Sequence, residues 1–394
     1  MIEKGNKKII RAWTFYDWAV SVYALVITTA IFPTFYEKVT TRVLQDGTTT
    51  DIVSYFGYTF NNTELFSYVV AASFLVVSVL SPVLSGVADY LGNKKFFLRL
   101  FCYVGALSCG TLYFFDPDHL EWSMFSLLFA SIGYWGSIVF YNAYLPEIAH
   151  PKDHDRISAQ GFSLGYLGAS ILLIIILILI MAYGMNARWA FVMVMVWWLT
   201  FAQYTFAKLP AYVRVRRRSE HLLLNGLREL QKVWREVRNM KIIRRYLSAF
   251  FVYSMGVQTV MVMAVLFAAK EVDWGSDSES KTGLIISVLI IQFIAILGAS
   301  VFSRMSARIG NIAVLKIAVI IWATVCAFAY FITTPLEFYF VAATVGFVMG
   351  GIQALSRSTY SKMLPETLDH ASYFSFYDVL EKIAIVIGTF SFGF

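Results

Sequence analysis

Charge is scarce in this sequence. Only 14% of its 394 residues are Asp, Glu, Lys or Arg, against 58% hydrophobic, too few to solvate the surface of a water-soluble globule. Histidine is scarcer still. His119, His150, His154, His221 and His370 form no HExxH pattern, and neither GxSxG nor GxxxxGK occurs, so an enzyme would have no recognisable metal site, nucleophile elbow or phosphate cradle. His150 and His154 stand at i, i+4 beside Asp153 and Asp155, but Pro151 places them in a loop, and no metal or other cofactor is expected. Cys102, Cys109 and Cys326 are an odd set without CxxC spacing and read as buried small residues. Asp116, Asp118 and Glu121 are too few and too close for a calcium loop. The long apolar runs lack period-two alternation, which excludes a membrane barrel and leaves helices as the spanning form.

Those runs are what the chain has in abundance. About twenty apolar residues cross a bilayer core, and on that count spans fall at 12–36, 65–86, 96–115, 122–145, 160–184, 189–209, 246–269, 282–303, 312–333, 336–356 and 373–394. Lys4, Lys7, Lys8 and Arg11 lead into the first run without a small-residue cleavage site, so that run is expected to be its own signal anchor. The basic residues divide unevenly among the loops. Twenty-four lie on one side, including pairs near 94–95, 152–156, 304–308 and 357–362, and twelve fall between Lys208 and Arg245 alone; five lie opposite, Lys38, Arg42, Arg188, Lys270 and Lys281. Positive-inside sorting then predicts a cytoplasmic N-terminus and central segment in a cell (inner) membrane. The net charge of +7 follows from the same sorting, and without a base-stacking platform it does not point to nucleic acid.

Two loops repeat. Leu91-Gly92-Asn93 returns as Ile309-Gly310-Asn311, 218 residues on, and Leu145-Pro146-Glu147 returns as Leu364-Pro365-Glu366, 219 residues on. Nearly one offset at equivalent loops predicts a duplicated six-span unit. The expected units are 1–209, a basic linker at 210–245, and 246–394. That plan calls for twelve spans, and the eleven present, ending in an apolar run at Phe394, suggest a missing twelfth. In the linker, Leu223, Leu227, Leu230, Trp234 and Val237 recur at helical spacing among bases, which predicts an amphipathic helix lying on the inner leaflet.

The loop Gly86-Val87-Ala88-Asp89-Tyr90-Leu91-Gly92-Asn93-Lys94-Lys95 resembles the signature between spans 2 and 3 of the major facilitator superfamily, with Asn93 where an Arg is common. The stretches Trp13 to Tyr23, Tyr141-Asn142-Ala143-Tyr144-Leu145-Pro146-Glu147, Gly350 to Ser358 and Ser375-Phe376-Tyr377-Asp378 are together similar to the autophagy-related vacuole effluxer branch and its bacterial relatives. This resemblance implies an all-α polytopic membrane protein of two six-helix bundles, and a secondary transporter. The family's fungal members are associated with amino-acid efflux from the vacuole. It further implies that Gly86 and Gly92 allow close helix approach, that Asp89 pairs across the bundle and that Lys94 faces the cytoplasm.

Few residues could carry transport chemistry. Asp17 lies inside the first span, where an ionisable group costs roughly 2.5–3.5 kcal/mol and wants a partner or a wet cavity. Three readings stand open, a proton or cation site, a gate contact and an interfacial helix cap. Pro33, later in that span, is expected to kink it. Asp378 and Lys382, at i, i+4 beside Glu381, read either as a gate network or as a static pair. Glu147 and Glu366, at equivalent loop positions, are expected to pair with Arg156 or Arg357 as latches. Gln203, Gln258, Gln292, Gln353 and Asn142, with Tyr16, Tyr23, Tyr141 and Tyr144, would line a cavity suited to a small zwitterion, or act as interhelical glue. No inward Arg pair suited to organic phosphates is seen. Gly161, Gly165 and Gly168, then Gly346, Gly350 and Gly351, give small-residue packing faces. The first set resembles a glycine-rich antiporter signature, with Tyr166 in place of Pro.

The function expected is secondary transport of small polar solutes, amino acids among them, with a coupling proton or cation, by a monomer in a lipid bilayer. A lipid-translocating protein of the same fold and a membrane-integral enzyme are the competing readings.

Overall fold

Each of the eleven expected runs falls on a helix in the computed structural model, which describes residues 4–43, 49–211 and 222–392. Asn6 caps the first helix, accepting from the N–H groups of Lys8 and Ile9. Helix α1 (Lys7–Val22) continues through a π-helical stretch, Tyr23–Ala30, into α2 (Ile31–Thr40), giving one span, Lys7–Thr40. The wider π turns end just before Pro33, where the chain must adapt to a missing N–H. Two short antiparallel hairpins follow, β1 (Arg42–Val43) with β2 (Thr49–Thr50) and β3 (Ile52–Tyr55) with β4 (Tyr58–Asn61).

Helix α3 (Asn62–Leu91) starts where the Asn61 N–H meets the Glu64 carboxylate, and ends at Gly92, whose φ of 69° closes the helix in the left-handed conformation that glycine adopts without strain. The rest of the first half is α4 (Lys94–Thr111), α5 (Leu120–Asn142), the single turn α6 (Leu145–Ile148), α7 (His154–Tyr183) and α8 (Arg188–Lys208). The linker contributes α9 (Leu222–Asn239). The second half is α10 (Lys241–Glu271), α11 (Asp277–Ile309), α12 (Asn311–Ala329), α13 (Pro335–Met363) and α14 (His370–Phe392). Among the described residues, nine helices are long and apolar enough to cross a membrane. Helices α10 and α14 match them in length but carry charge, Lys241, Arg244 and Arg245 in one and Asp378, Glu381 and Lys382 in the other. Helix α7 packs on α11 and α13, and α3 on α14, so two faces join the halves. The expected glycine faces close-pack: Gly346 and Gly350 bring α13 against the backbone of α11 at Ile291 and Ala295, and Gly161, Gly165 and Gly168 bring α7 against α1.

The linker forms the expected helix. Helix α9 turns Gly226, Val233 and Val237 onto the protein and leaves Leu227 and Trp234 exposed. The reason is Gly226, whose missing side chain lets α9 meet the α3 backbone at Gly86 and Val87. From there α9 reaches the second half. Lys232 pairs with Asp369 at 3.1 Å, the Tyr373 hydroxyl donates to Glu236 at 2.6 Å, and Trp234 lies against Phe376 with ring centroids 5.4 Å apart. Asp369 beside it holds the Lys232 ammonium above its ordinary pKa. The side chain of Leu223, and Arg214, Arg216, Arg217, Arg218, Glu220 and His221, lie outside the described residues.

Gly226→Leu should lift α9 off α3. Trypsin cleavage within the linker is expected to speed up about tenfold, the factor for roughly 1.4 kcal/mol of lost docking, while the membrane domain stays monodisperse. An unchanged cleavage rate would mean that α9 is not held by this contact.

Candidate functional site

Arg357 belongs to α13 rather than to a loop. The basic pair near 357–362 sits in the last turns of that helix, which runs seven residues past the expected span end, and Arg357 is only 3% exposed. Its guanidinium reaches across the boundary between the halves. Nη1 and Nη2 donate to Asp17 Oδ2 at 3.3 and 3.2 Å, Nε donates to Ser158 Oγ at 2.9 Å, Nη2 donates to the Ser158 carbonyl at 2.9 Å, and Nη1 donates to Asn142 Oδ1 at 3.4 Å. Asp17, 4% exposed, also accepts from the Tyr141 hydroxyl at 2.7 Å. Rings of Phe162, Trp13 and Tyr141 lie 4.1, 4.8 and 5.4 Å from the guanidinium carbon. A weakly hydrated planar cation suits such a box of carboxylate and aromatic faces. The glycines of α7 open the space, since a Cβ at Gly161 would meet Asp17 Oδ2 and Arg357 Nη2. Asp17 is therefore not an interfacial cap; it is the partner of a buried cation from the other half.

A second charged group lies in α14. Lys382 Nζ pairs with Asp378 Oδ1, stands 3.6 Å from Glu381 Oε2 and sits 3.9 Å above the Trp135 ring of α5. Gln258 of α10 donates to Glu381 at 3.0 Å. Between the two groups, the Tyr166 hydroxyl of α7 donates to Gln353 of α13 at 2.6 Å.

Toward the linker end two further clusters bridge the halves. Lys94 pairs with Glu147, lies 3.4 Å from Asp89 and donates to the Leu368 carbonyl at 2.9 Å, and His370 Nδ1 is 3.0 Å from Glu147. Asp89 accepts from the N–H groups of Ala371 and Ser372 at 3.3 and 2.7 Å, where the opening turn of α14 favours an anion. Asp155 accepts from Lys362, Asn311, Ser358 and Ser306 at 2.6 to 2.8 Å.

The expected latch partners are thus corrected. Glu147 is held by Lys94 and His370, Arg156 pairs with Asp153 at 3.1 Å on the surface, Arg357 goes to Asp17, and Glu366 is exposed. Among the aromatic candidates, Tyr16 is fully buried against Tyr141, Tyr23 stacks on Tyr134 at 4.8 Å, and the Tyr144 hydroxyl donates to the Pro210 carbonyl at 3.0 Å. Gln292 is half-buried in α11 and makes none of these bonds among the described residues. Gly86 serves α9 and Gly92 ends α3. Asp155, Lys362, Asn311 and His370 escaped sequence reasoning. Asn311 sits in the repeated loop, and that repeat was the one signal pointing toward them.

Breaking a buried pair by removing one partner costs about 3–5 kcal/mol, because the other charge stays buried alone. Asp17→Asn and Arg357→Gln should each destabilise by that order in detergent denaturation, and the double variant Asp17→Leu/Arg357→Met should regain much of the loss. Single variants that cost under about 1 kcal/mol, the range of an exposed pair, would show that the pair is not a buried one.

A family model for Atg22-like vacuole effluxers matches residues 5–394. The chain is 30% identical to the uncharacterized MFS-type transporter YxiO of Bacillus subtilis, over 96% of this chain and 86% of that protein. It is 24% identical to autophagy-related protein 22 of Yarrowia lipolytica, over 86% of this chain and 72% of that protein. The crystal structure of the human organic anion transporter MFSD10 (TETRAN) superposes with a TM-score of 0.74 at 10% identity, covering 99% of this chain and 93% of that one.

Proposed function

We infer that this chain, which belongs to the Atg22-like vacuole effluxer family of the major facilitator superfamily, moves small polar solutes, amino acids among them, by alternating access. The two halves, 1–209 and 246–394, rock about a site near mid-membrane while the linker at 210–245 joins them. One observation carries this reading: Arg357 of the second half is buried in a polar box of the first half, so the halves meet through breakable polar contacts as well as through apolar packing. Inter-half bonds such as those of Asp89, Asp155 and Ser158 gather on the linker side, and they support a state closed at that end.

The groups beside this closure set the solute class. Gln258, Tyr134 and Trp135 are half-buried around Glu381 and Lys382, offering an ammonium, a carboxylate, an amide and a phenol at once. A solute bearing both signs of charge matches that set better than a phosphate, which would want paired guanidiniums. The protein works as a monomer in the cell membrane, with the N-terminus and linker in the cytoplasm, as the distribution of its bases supports. The sequence carries no GxxxxGK phosphate cradle, which leaves a solute or ion gradient to drive the cycle.

Counterflow into proteoliposomes, run with labelled amino acids, peptides and sugars with and without a pH gradient, tests the reading. At least one amino acid should exchange through the wild-type chain, with the rate cut about tenfold or more by Arg357→Gln, the loss expected when one charged contact of roughly 1.4 kcal/mol is removed. Exchange confined to sugars or peptides would refute the amino-acid assignment.

A further inference from the structure

The polar clusters between the halves differ in how their charges balance. Asp17 and Arg357 cancel, as do Asp155 and Lys362. Asp89 and Glu147 share the ammonium of Lys94, but both are also bonded otherwise, Asp89 by the N–H groups of Ala371 and Ser372 and Glu147 by His370. The group in α14 does not cancel. Two carboxylates, Asp378 and Glu381, share the single ammonium of Lys382. Asp378 and Lys382 are 3% and 0% exposed, and among the described residues Asp378 Oδ2 has no hydrogen-bond partner. A buried site one positive charge short, with an unbonded carboxylate oxygen in it, is unstable unless it acquires a cation or a proton.

We propose that the Asp378–Glu381–Lys382 triad is the coupling site of the transport cycle and that it takes up one proton, with Glu381 as the entry point and Lys382 as the link to the other half. The proposal rests on the alternating-access reading. A proton suits the site better than a metal ion, since the Lys382 ammonium already occupies the place between the carboxylates where a metal ion would bind, and no metal-binding cluster occurs among the described residues. Glu381 is the most exposed of the three, with 19% of its side chain open, so the proton from solution reaches a Glu381 oxygen first. It stays within the triad while the halves move, and leaves to water at the opposite end when the site opens there.

Other groups around the triad are poorly placed to supply the missing charge. From α5 it faces Tyr134 and Trp135, from α10 Tyr253 and Gln258, and within α14 Tyr377, near which lies Arg357 of α13. Helices α3 and α9 meet the start of α14 instead, where Asp89, Lys232 and Glu236 are engaged with Ala371, Ser372, Asp369 and Tyr373. Protonating a carboxylate releases part of the hold on Lys382, whose ring contact with Trp135 crosses the boundary between the halves. Proton binding and movement of the halves are thereby coupled through one side chain.

The test reads movement directly and needs no known solute. In a Cys326→Ser background, spin labels are placed at Lys152 and Ala307, both exposed and on opposite halves at the linker end, and their separation is measured by pulsed electron resonance from pH 5 to pH 9. The wild-type chain should show two distance populations whose ratio changes with pH. Glu381→Gln, which keeps the bond from Gln258, and Asp378→Asn should each flatten that dependence. Lys382→Met removes the ammonium that favours ionised carboxylates, so its midpoint should move up by about one pH unit or more. A wild-type ratio that ignores pH, one that follows sodium at fixed pH, or a dependence unchanged in both carboxylate variants would overturn the proposal. Counterflow of solute is measured separately, so loss of coupling and failure of the transport reading give different results.

Discussion

A guanidinium from one half of the molecule lies buried in the other half, and the contact between the halves depends on that charge being satisfied. Arg357 makes bonds to Asp17, Ser158 and Asn142 and lies among three aromatic rings. Its desolvation is offset only while these partners are held in place. The surrounding architecture serves that end. Glycines of α7 admit α1 closely, Tyr141 is fixed by Trp13, whose indole donates to the Tyr141 carbonyl at 2.9 Å, and Ser158 is tied to the Ala354 carbonyl at 2.8 Å.

Around this pair the interface between the halves combines apolar packing with several separate polar clusters. Each joins helix ends or inner turns by a few charge-assisted bonds, and each is short enough to break as a unit. The α9 clasp adds a further layer at the same end, resting on α3 and bonded to the start of α14. The linker thus helps to join the halves, although its bases read in sequence only as an orientation signal.

The helices were legible in the sequence because bilayer thickness imposes a length that composition alone reveals. The repeated loops were legible too, since a turn between two helices constrains backbone as well as side chain. Gly92 and Gly310, with φ of 69° and 86°, both hold such turns. The charged site was only half legible. Asp17, Asp378, Glu381 and Lys382 stood out as charges in apolar runs, but Arg357 was hidden at a helix end, where a base ordinarily marks a loop. Its partner lies 340 residues away, and no local pattern encodes a pairing of that range. Docking of α9 was hidden for a similar reason. The stripe Leu227, Leu230, Trp234 and Val237 gave the helix, while Gly226, a residue with no side chain to count, decided which face is buried.

The central claim is that the Asp17–Arg357 pair keeps the linker end shut. Ala354 is fully buried between the halves, against Ala159 and Ala299, so a cysteine there reports opening. In a Cys326→Ser background, the rate at which Ala354→Cys reacts with a polar thiol reagent measures that opening directly. Labelling should be slow with the pair intact and about tenfold faster or more once Arg357→Gln removes it, the factor for roughly 1.4 kcal/mol. Equal rates in the two proteins would contradict it.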